Sequence, residues 1–208
     1  MVKTRGRGFT LVELLVVIAI MAILMALIFP IVGAITSRAK FHQWQGQSAK
    51  IKTDKECVVY YLFEEQDGTV VENLAAENPD RQEINGKITS ATWDKGRWSQ
   101  KGAMKFAASK YVTVKLPVAL AAPYSIEVWA KLTTATSWSH YVYSNGVSYL
   151  NGVTGSAIPA QIMVLTDPTT TTAFKIGDGY AGLIDEIAIY SDELTSDEIK
   201  EHYEMGNP

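Results

Sequence analysis

Between Leu14 and Ile35 the chain runs for 22 residues without a charged side chain. At 1.5 Å per residue, a helix of that length crosses a hydrocarbon core of about 30 Å. Lys3, Arg5 and Arg7 stand ahead of it and put its N-terminal end on the cytoplasmic side. A secretory signal would have a shorter apolar core followed by a small-residue cleavage site. Here the run passes Phe29-Pro30 and continues through Ile31, Val32 and Ile35 with no such site behind it. A plain single-span anchor leaves Glu13 unexplained, because a carboxylate in a spanning segment costs about 2.5–3.5 kcal/mol.

Charge divides the chain in two. Residues 1–53 hold seven Lys/Arg and one Glu, whereas residues 54–208 hold twelve Lys/Arg and twenty-one Asp/Glu. A basic foot and an acidic head belong in two environments. Neither offers the concentrated positive charge of a nucleic-acid surface, so no nucleic-acid partner is expected. The single cysteine, Cys57, excludes a disulfide framework within the chain and reads as a buried thiol.

The stretch Gly8-Phe9-Thr10-Leu11-Val12-Glu13-Leu14-Leu15 resembles the prepilin cleavage and methylation motif of type IV pilins and type II secretion pseudopilins. The resemblance covers residues 1–36 and combines a basic leader, Gly before the cut, Phe after it and an acid five positions into the new chain. It implies that prepilin peptidase removes residues 1–8 at the cytoplasmic face, that Phe9 is N-methylated, and that the freed helix packs into a filament core. Glu13 then has a purpose. Cleavage creates a cationic amine on Phe9, costly to bury unpaired, and Glu13 of a neighbouring subunit or of the same helix neutralises it.

Past Phe29, Pro30 removes a backbone donor and Gly33 loosens the chain, so a kink or a locally melted soft point is expected there. From Arg38 the sequence turns polar, with Trp44 interfacial or packed on the head and His42 solvated. The expected division is a leader at 1–8, a membrane and filament-core helix at 9–53, and a head at 54–208 that is soluble and β-rich by itself.

In the head, CVVYYLF, YVTVKL, SIEVWAKL, HYVYS, QIMVL, AFKIG and GLIDEIAIY are short apolar or alternating runs separated by DG, NG, GD and DP turns. With no helical pattern between them, they read as an antiparallel sandwich. Asn78–Gln100 is polar and reads as loop or edge. The C-terminal LTSDEIKEHYEMG carries Thr195 as N-cap, Glu198 completing a capping box, a Leu194/Ile199 staple, and Gly206 as the stop. The expected class is therefore α+β: a long N-terminal transmembrane helix, an antiparallel β-sandwich, and a short C-terminal helix.

YYLFEEQDGT, GAMKFAASKYVTV, YSIEVWAKL and FKIGDGYAGLIDEIAIYSDELTSDEIKEHYE resemble the LamG-like, concanavalin A-type jelly-roll domain. The resemblance covers roughly 57–205. Two departures stand out. The interval from Leu132 to Asn151 is short where the family carries several more strands. Ala107-Ala108 replace an Asp-Gly near its ligand-binding rim. The fold carries over better than the activity.

Glu64, Glu65, Asp67, Asp178, Asp185 and Glu186 could offer oxygens to Ca²⁺, as in some LamG-like domains, but none has calcium-loop spacing. Turn and structural roles are the simpler reading, and no cofactor is expected. The E-x-D-x-x-E pattern of a retaining glycosidase and any Ser/His/Asp set are missing, so no enzyme is expected. Trp93, Trp98, Trp129, Trp138, Tyr141 and Tyr143 either stack sugars or fill the core. The Thr-rich loop 166–173 is an exposed loop or an O-glycosylation site. Two functions follow. One is a pilin or pseudopilin polymerising with itself through the assembly machinery, passing from the inner membrane to an extracellular or periplasmic filament. The other is a minor pilin whose head grips glycans or another surface, although the head is expected to bind simple glycans weakly or not at all.

Overall fold

A computed structural model describes residues 9–155, 157–159, 162–164 and 172–208, without the side chains of 28–32, 34, 163 and 164. The chain divides into two compact units between Lys40 and Phe41. Helix α1 (Leu11–Lys52) contributes to both.

In the first unit α1 is apolar on every face. Phe9, Leu11, Val12, Ile23 and Leu27 are all more than half exposed. A helix hydrophobic all round is one whose partner or lipid has yet to cover it. The span expected over Leu14–Ile35 includes residues 28–32 and 34, whose side chains lie outside the described residues. Among the described residues no helix is long and apolar enough to cross a membrane. The helix is unbroken through Pro30 and Gly33, so the expected soft point is not melted in this state. Pro30 still leaves the Ala26 carbonyl without its helical donor.

The second unit starts with the last turns of α1. Then come β1 (Cys57–Tyr61), β2 (Val70–Val71), β3 (Gly86–Thr89), β4 (Thr92–Lys95), β5 (Gly102–Phe106) and β6 (Tyr111–Lys115). They are followed by β7 (Ser125–Leu132), β8 (Ser139–Ser144), β9 (Val147–Leu150), β10 (Val153–Thr154), β11 (Met163–Val164), β12 (Ala173–Ile176) and β13 (Gly182–Tyr190). Helix α2 (Ser196–Gly206) closes the chain. One sheet runs β10-β9-β8-β7-β13-β5-β4 with β1 also on β13, and the other runs β11-β12-β6-β3-β2. Every pairing is antiparallel.

Alternation along the strands sends one set of side chains into a core that both sheets share. Val112, Val114 and Ile176 come from the smaller sheet, and Met104, Val128 and Ile187 from the larger. A second core lies on the far face of the larger sheet, where Tyr60, Val142, Ala188 and Tyr190 meet Trp44, Ile51 and Ile199. The end of α1, from Phe41, thus belongs to the same compact unit as the sheets. The polar character of the segment hid this, because two of its buried residues, Gln47 and Ser48, are polar and its apolar ones, Phe41, Trp44 and Ile51, are widely spaced.

A fragment of residues 41–208 is accordingly expected to unfold cooperatively at a higher temperature than residues 54–208. Losing two fully buried side chains of this size costs several kcal/mol, at about 2–5 each. Equal melting temperatures for the two fragments would show that α1 adds nothing to the head.

Two adjacent hairpins are built on Asn-Gly. Asn145-Gly146 joins β8 to β9 and Asn151-Gly152 joins β9 to β10, all four residues with positive φ. That backbone matches the twist of the flanking strands, and Asn-Gly adopts it most easily.

Two expectations need correction. The polar interval Asn78–Gln100 contains β3 and β4, and β3 is interior, between β6 and β2. Its Lys87 and Thr89 face outward while Ile88 packs on the core, an alternation four residues long and easily missed. Gly206 is also not a left-handed stop, since α2 includes it and the following Asn207 is extended. It is glycine because a Cβ there would lie 2.7 Å from the Trp129 ring and 2.9 Å from Arg97 Nη1.

Candidate functional site: the processing motif and the head anchor

The N-terminus of α1 is capped by its own motif. Glu13 Oε2 accepts from Thr10 N–H at 2.8 Å and from Thr10 Oγ1 at 2.9 Å, while Thr10 Oγ1 accepts from Glu13 N–H at 3.2 Å. This is a reciprocal capping box. Thr195 and Glu198 form the same box at α2, with bonds of 2.8 and 3.3 Å. The Thr-x-x-Glu signal stands at both places in the sequence, but only the second was read as a cap. Both Thr10 donors use Oε2, so Glu13 Oε1 has no hydrogen-bond partner among the described residues. Gly8 lies outside them, and Phe9 is 82% exposed.

In the head, the chemistry gathers where β13 changes partner. Its edge pairs with β5 at Gly182–Ile184 and with β1 at Ile187–Tyr190. The register against β7 shifts between Ile184 and Glu186, leaving Asp185 as the extra residue of a β-bulge. The bulge lets Ile184 and Ile187 both face the shared core while both acids avoid it.

Four buried charges fill the gap. Lys101 Nζ lies 2.6 Å from Asp185 Oδ1 and donates to the Leu62 and Asp185 carbonyls at 3.1 Å each. Those carbonyls would otherwise face the break in the ladder unsatisfied. Arg97 N–H donates to Asp185 Oδ2 at 2.6 Å, and its guanidinium bonds to Glu186 and, at 2.9 Å, to the Gly206 carbonyl. The guanidinium carbon lies 4.1 Å from the Trp129 ring centre. Glu186 also accepts from Trp44 Nε1–H at 2.8 Å and from the Tyr60 hydroxyl. Burial, with the Glu186 charge beside it, pushes the Tyr60 hydroxyl up, so it remains a donor. Glu186 therefore ties together α1, β1, β13 and the loop before β5.

Beside this anchor, Glu127 on β7 lies between two imidazoles. His140 Nε2 is 2.7 Å from Oε1, and His202 Nδ1 of α2 is 2.9 Å from Oε2. Burial opposes ionisation of Glu127, but His202 and His140 outweigh it and hold the carboxyl well below the usual range. Burial likewise opposes protonation of His202, and the Glu127 carboxylate outweighs it, raising His202.

A raised histidine stabilises the fold fully below its unfolded value of about 6.5 and loses that contribution as pH rises through its folded value. A depressed carboxyl stabilises fully above about 4.3 and loses that as pH falls. The head is thus expected to be most heat-resistant between about pH 4.5 and 6.5. His202→Gln should flatten the alkaline decline. An alkaline limb of unchanged slope in that variant would remove His202 from the account.

The remaining sequence candidates scatter. Asp185 and Glu186 belong to the anchor, Glu65 Oε1 accepts from Glu72 N–H at 2.7 Å, and Asp178 pairs with Lys175 at 3.1 Å. Glu64 Oε1 lies 4.0 Å from Lys101, and Asp67 precedes Gly68 in a turn. Among the described residues no group of three or more His, Cys, Asp and Glu is placed to hold a metal ion. Trp98 and Trp129 are buried in the anchor, Trp93 and Tyr141 pack on the shared core, and Tyr143 packs on Tyr124. Loop residues 166–171 lie outside the described residues.

The family model for the prokaryotic N-terminal methylation motif matches residues 3–29. The chain thus carries a prepilin-type methylation motif at its N-terminal end. Solved structures match the head in fold. Domain 4 of AbnA, a GH43 extracellular arabinanase from Geobacillus stearothermophilus, solved with arabinotriose, is 16% identical with a TM-score of 0.52. The match covers 71% of this chain and 98% of that one. The botulinum neurotoxin serotype D ligand binding domain, solved with N-acetylneuraminic acid, is 12% identical with a TM-score of 0.53. There the match covers 77% of this chain and 56% of that one. No curated protein matches the chain.

Proposed function

We propose that the chain is a structural subunit of a type IV pilus-like filament or secretion pseudopilus. It is made as an inner-membrane precursor, cut by prepilin peptidase between Gly8 and Phe9, and polymerised with itself or related subunits through α1. The head is a jelly-roll β-sandwich carried outside the filament core. The observation that carries this reading is the methylation motif at residues 3–29 on a helix whose apolar side chains are exposed on every face. In a filament, neighbouring helices cover those faces. Pro30 and Gly33 give α1 a place to unwind as subunits pack.

Glu13 has two oxygens and two tasks. Oε2 caps the helix through Thr10, and Oε1 is left for the Phe9 amine of a neighbour. The mature protein is expected to begin at Phe9 with a methylated amine. N-terminal sequencing that finds Met1, or a cut beyond Phe29, would overturn the pilin reading.

A minor, surface-binding subunit is the second reading. It is supported by the likeness in fold to domains solved with arabinotriose and with N-acetylneuraminic acid.

A further inference from the structure

The two sheets present different outer faces. That of the larger sheet is covered over its middle by α2 and the end of α1, through Trp44, Ile51, Leu194 and Ile199. Strand alternation turns Lys87, Thr89, Tyr111, Thr113, Lys115 and Lys175 outward on the smaller one, since their neighbours Ile88, Val112, Val114 and Ile176 pack inward. In a segment with twelve basic and twenty-one acidic residues, these six include three lysines and no acid.

Register places Lys87 opposite Thr113, and Thr113 opposite Lys175. The two lysines stand two strand spacings apart, about 9.5 Å. Lys115 follows two residues along β6. Lys87 and Lys115 have no ion-pair partner among the described residues, while Asp178 at the margin pairs with Lys175. Lys175 Nζ also sits 4.0 Å from the Tyr111 ring centre. That aromatic face already holds a cation, so it makes a poor stacking platform for a neutral sugar.

We infer that this face binds an acidic polysaccharide, with carboxylates of the polymer on Lys87, Lys115 and Lys175 and its hydroxyls on Thr113 and Tyr111. Spaced lysines on a flat sheet suit a chain bearing one charge per ring. DNA, with a charge every 1.7 Å or so of its axis, is too densely charged for three lysines at this spacing to match. This gives the second reading of the function a ligand class. Binding by the unassembled chain does not depend on filament growth, so a filament defect and a binding defect are read separately. One face binds weakly, and repetition along a filament raises its avidity.

The test uses full-length chain in non-ionic detergent, titrated with soluble polyuronate. The triple variant Lys87→Gln/Lys115→Gln/Lys175→Gln is expected to weaken binding about tenfold, a few-fold per exposed charge. Lys55→Gln/Lys105→Gln/Lys131→Gln, of equal net charge, should bind like the unaltered chain, and about 0.5 M salt should abolish binding by all three. Unchanged melting temperatures would show that the first triple still folds. The inference is overturned by equal losses in both triples, by no binding of the unaltered chain, or by tighter binding of a neutral polysaccharide, duplex DNA or anionic vesicles.

Discussion

Glu13→Val is expected to leave processing and membrane insertion intact while filaments disappear and unassembled subunit accumulates. The substitution removes a carboxylate that costs about 2.5–3.5 kcal/mol in a spanning segment, so insertion should if anything improve. In the filament the Phe9 amine, mostly protonated at neutral pH, loses its partner in an apolar core. Leaving one member of a buried pair alone costs about 3–5 kcal/mol, more than an added apolar contact returns. Every incoming subunit meets that cost again.

The capping box means that valine also strips the end of α1, which contributes about 0.5–2 kcal/mol. Glu13→Gln separates the two effects, because a glutamine can still cap Thr10 but carries no charge. Filaments should fail for both variants, counted by electron microscopy of sheared cells. Normal filaments for Glu13→Gln would mean that capping, and not neutralisation, is what Glu13 supplies.

In the head the largest loss is expected from Glu186→Ala. It leaves the Arg97 guanidinium with Asp185 as its one remaining carboxylate and takes an acceptor from Trp44 Nε1–H and from the Tyr60 hydroxyl, in a site closed to water. Breaking a buried pair from one side costs about 3–5 kcal/mol, against a total stability of about 5–15 for a domain. Arg97→Met alone should cost a similar amount. The double variant Arg97→Met/Glu186→Leu should lose much less than the two single losses added, because the charges compensate each other. Urea midpoints of the four proteins give the coupling directly. Strict additivity would show that Arg97 and Glu186 act independently despite their contact.

The parts of this fold written in local patterns were legible in the sequence. The methylation motif depends on one continuous N-terminal stretch, the α2 cap on Thr195 and Glu198, and the hairpins on two Asn-Gly pairs. What escaped was the relation between distant segments. Arg97 falls in the polar interval read as loop or edge and Lys101 just beyond it, and nothing in GRWSQKG says that their charges meet Asp185 and Glu186. A hint was present: an arginine beside tryptophan within four residues of a lysine, and two adjacent acids inside an otherwise apolar strand. Two consecutive acids cannot both avoid the core in a regular strand, so a bulge there was inferable. Trp44 was harder to assign, because a tryptophan near a membrane is as reasonable at the lipid interface as in a core. The polysaccharide face had no sequence signal, as its lysines come from three strands that meet only after folding.

The two Asn-Gly hairpins also bear on how long the head lasts chemically. Asparagine before glycine is the pair most prone to cyclise and deamidate, because the following backbone nitrogen can reach the side-chain carbonyl unhindered. In both turns that carboxamide is already engaged: Asn145 Nδ2 donates to Glu193 Oε2 at 2.7 Å, and Asn151 Oδ1 accepts from His140 N–H at 2.9 Å. The bond to the buried strand holds Asn151 more firmly than an exposed carboxylate holds Asn145. Chemical ageing of the head therefore starts at Asn145, where the new carboxylate would face Glu193 and begin to loosen the hairpin from the approach to α2.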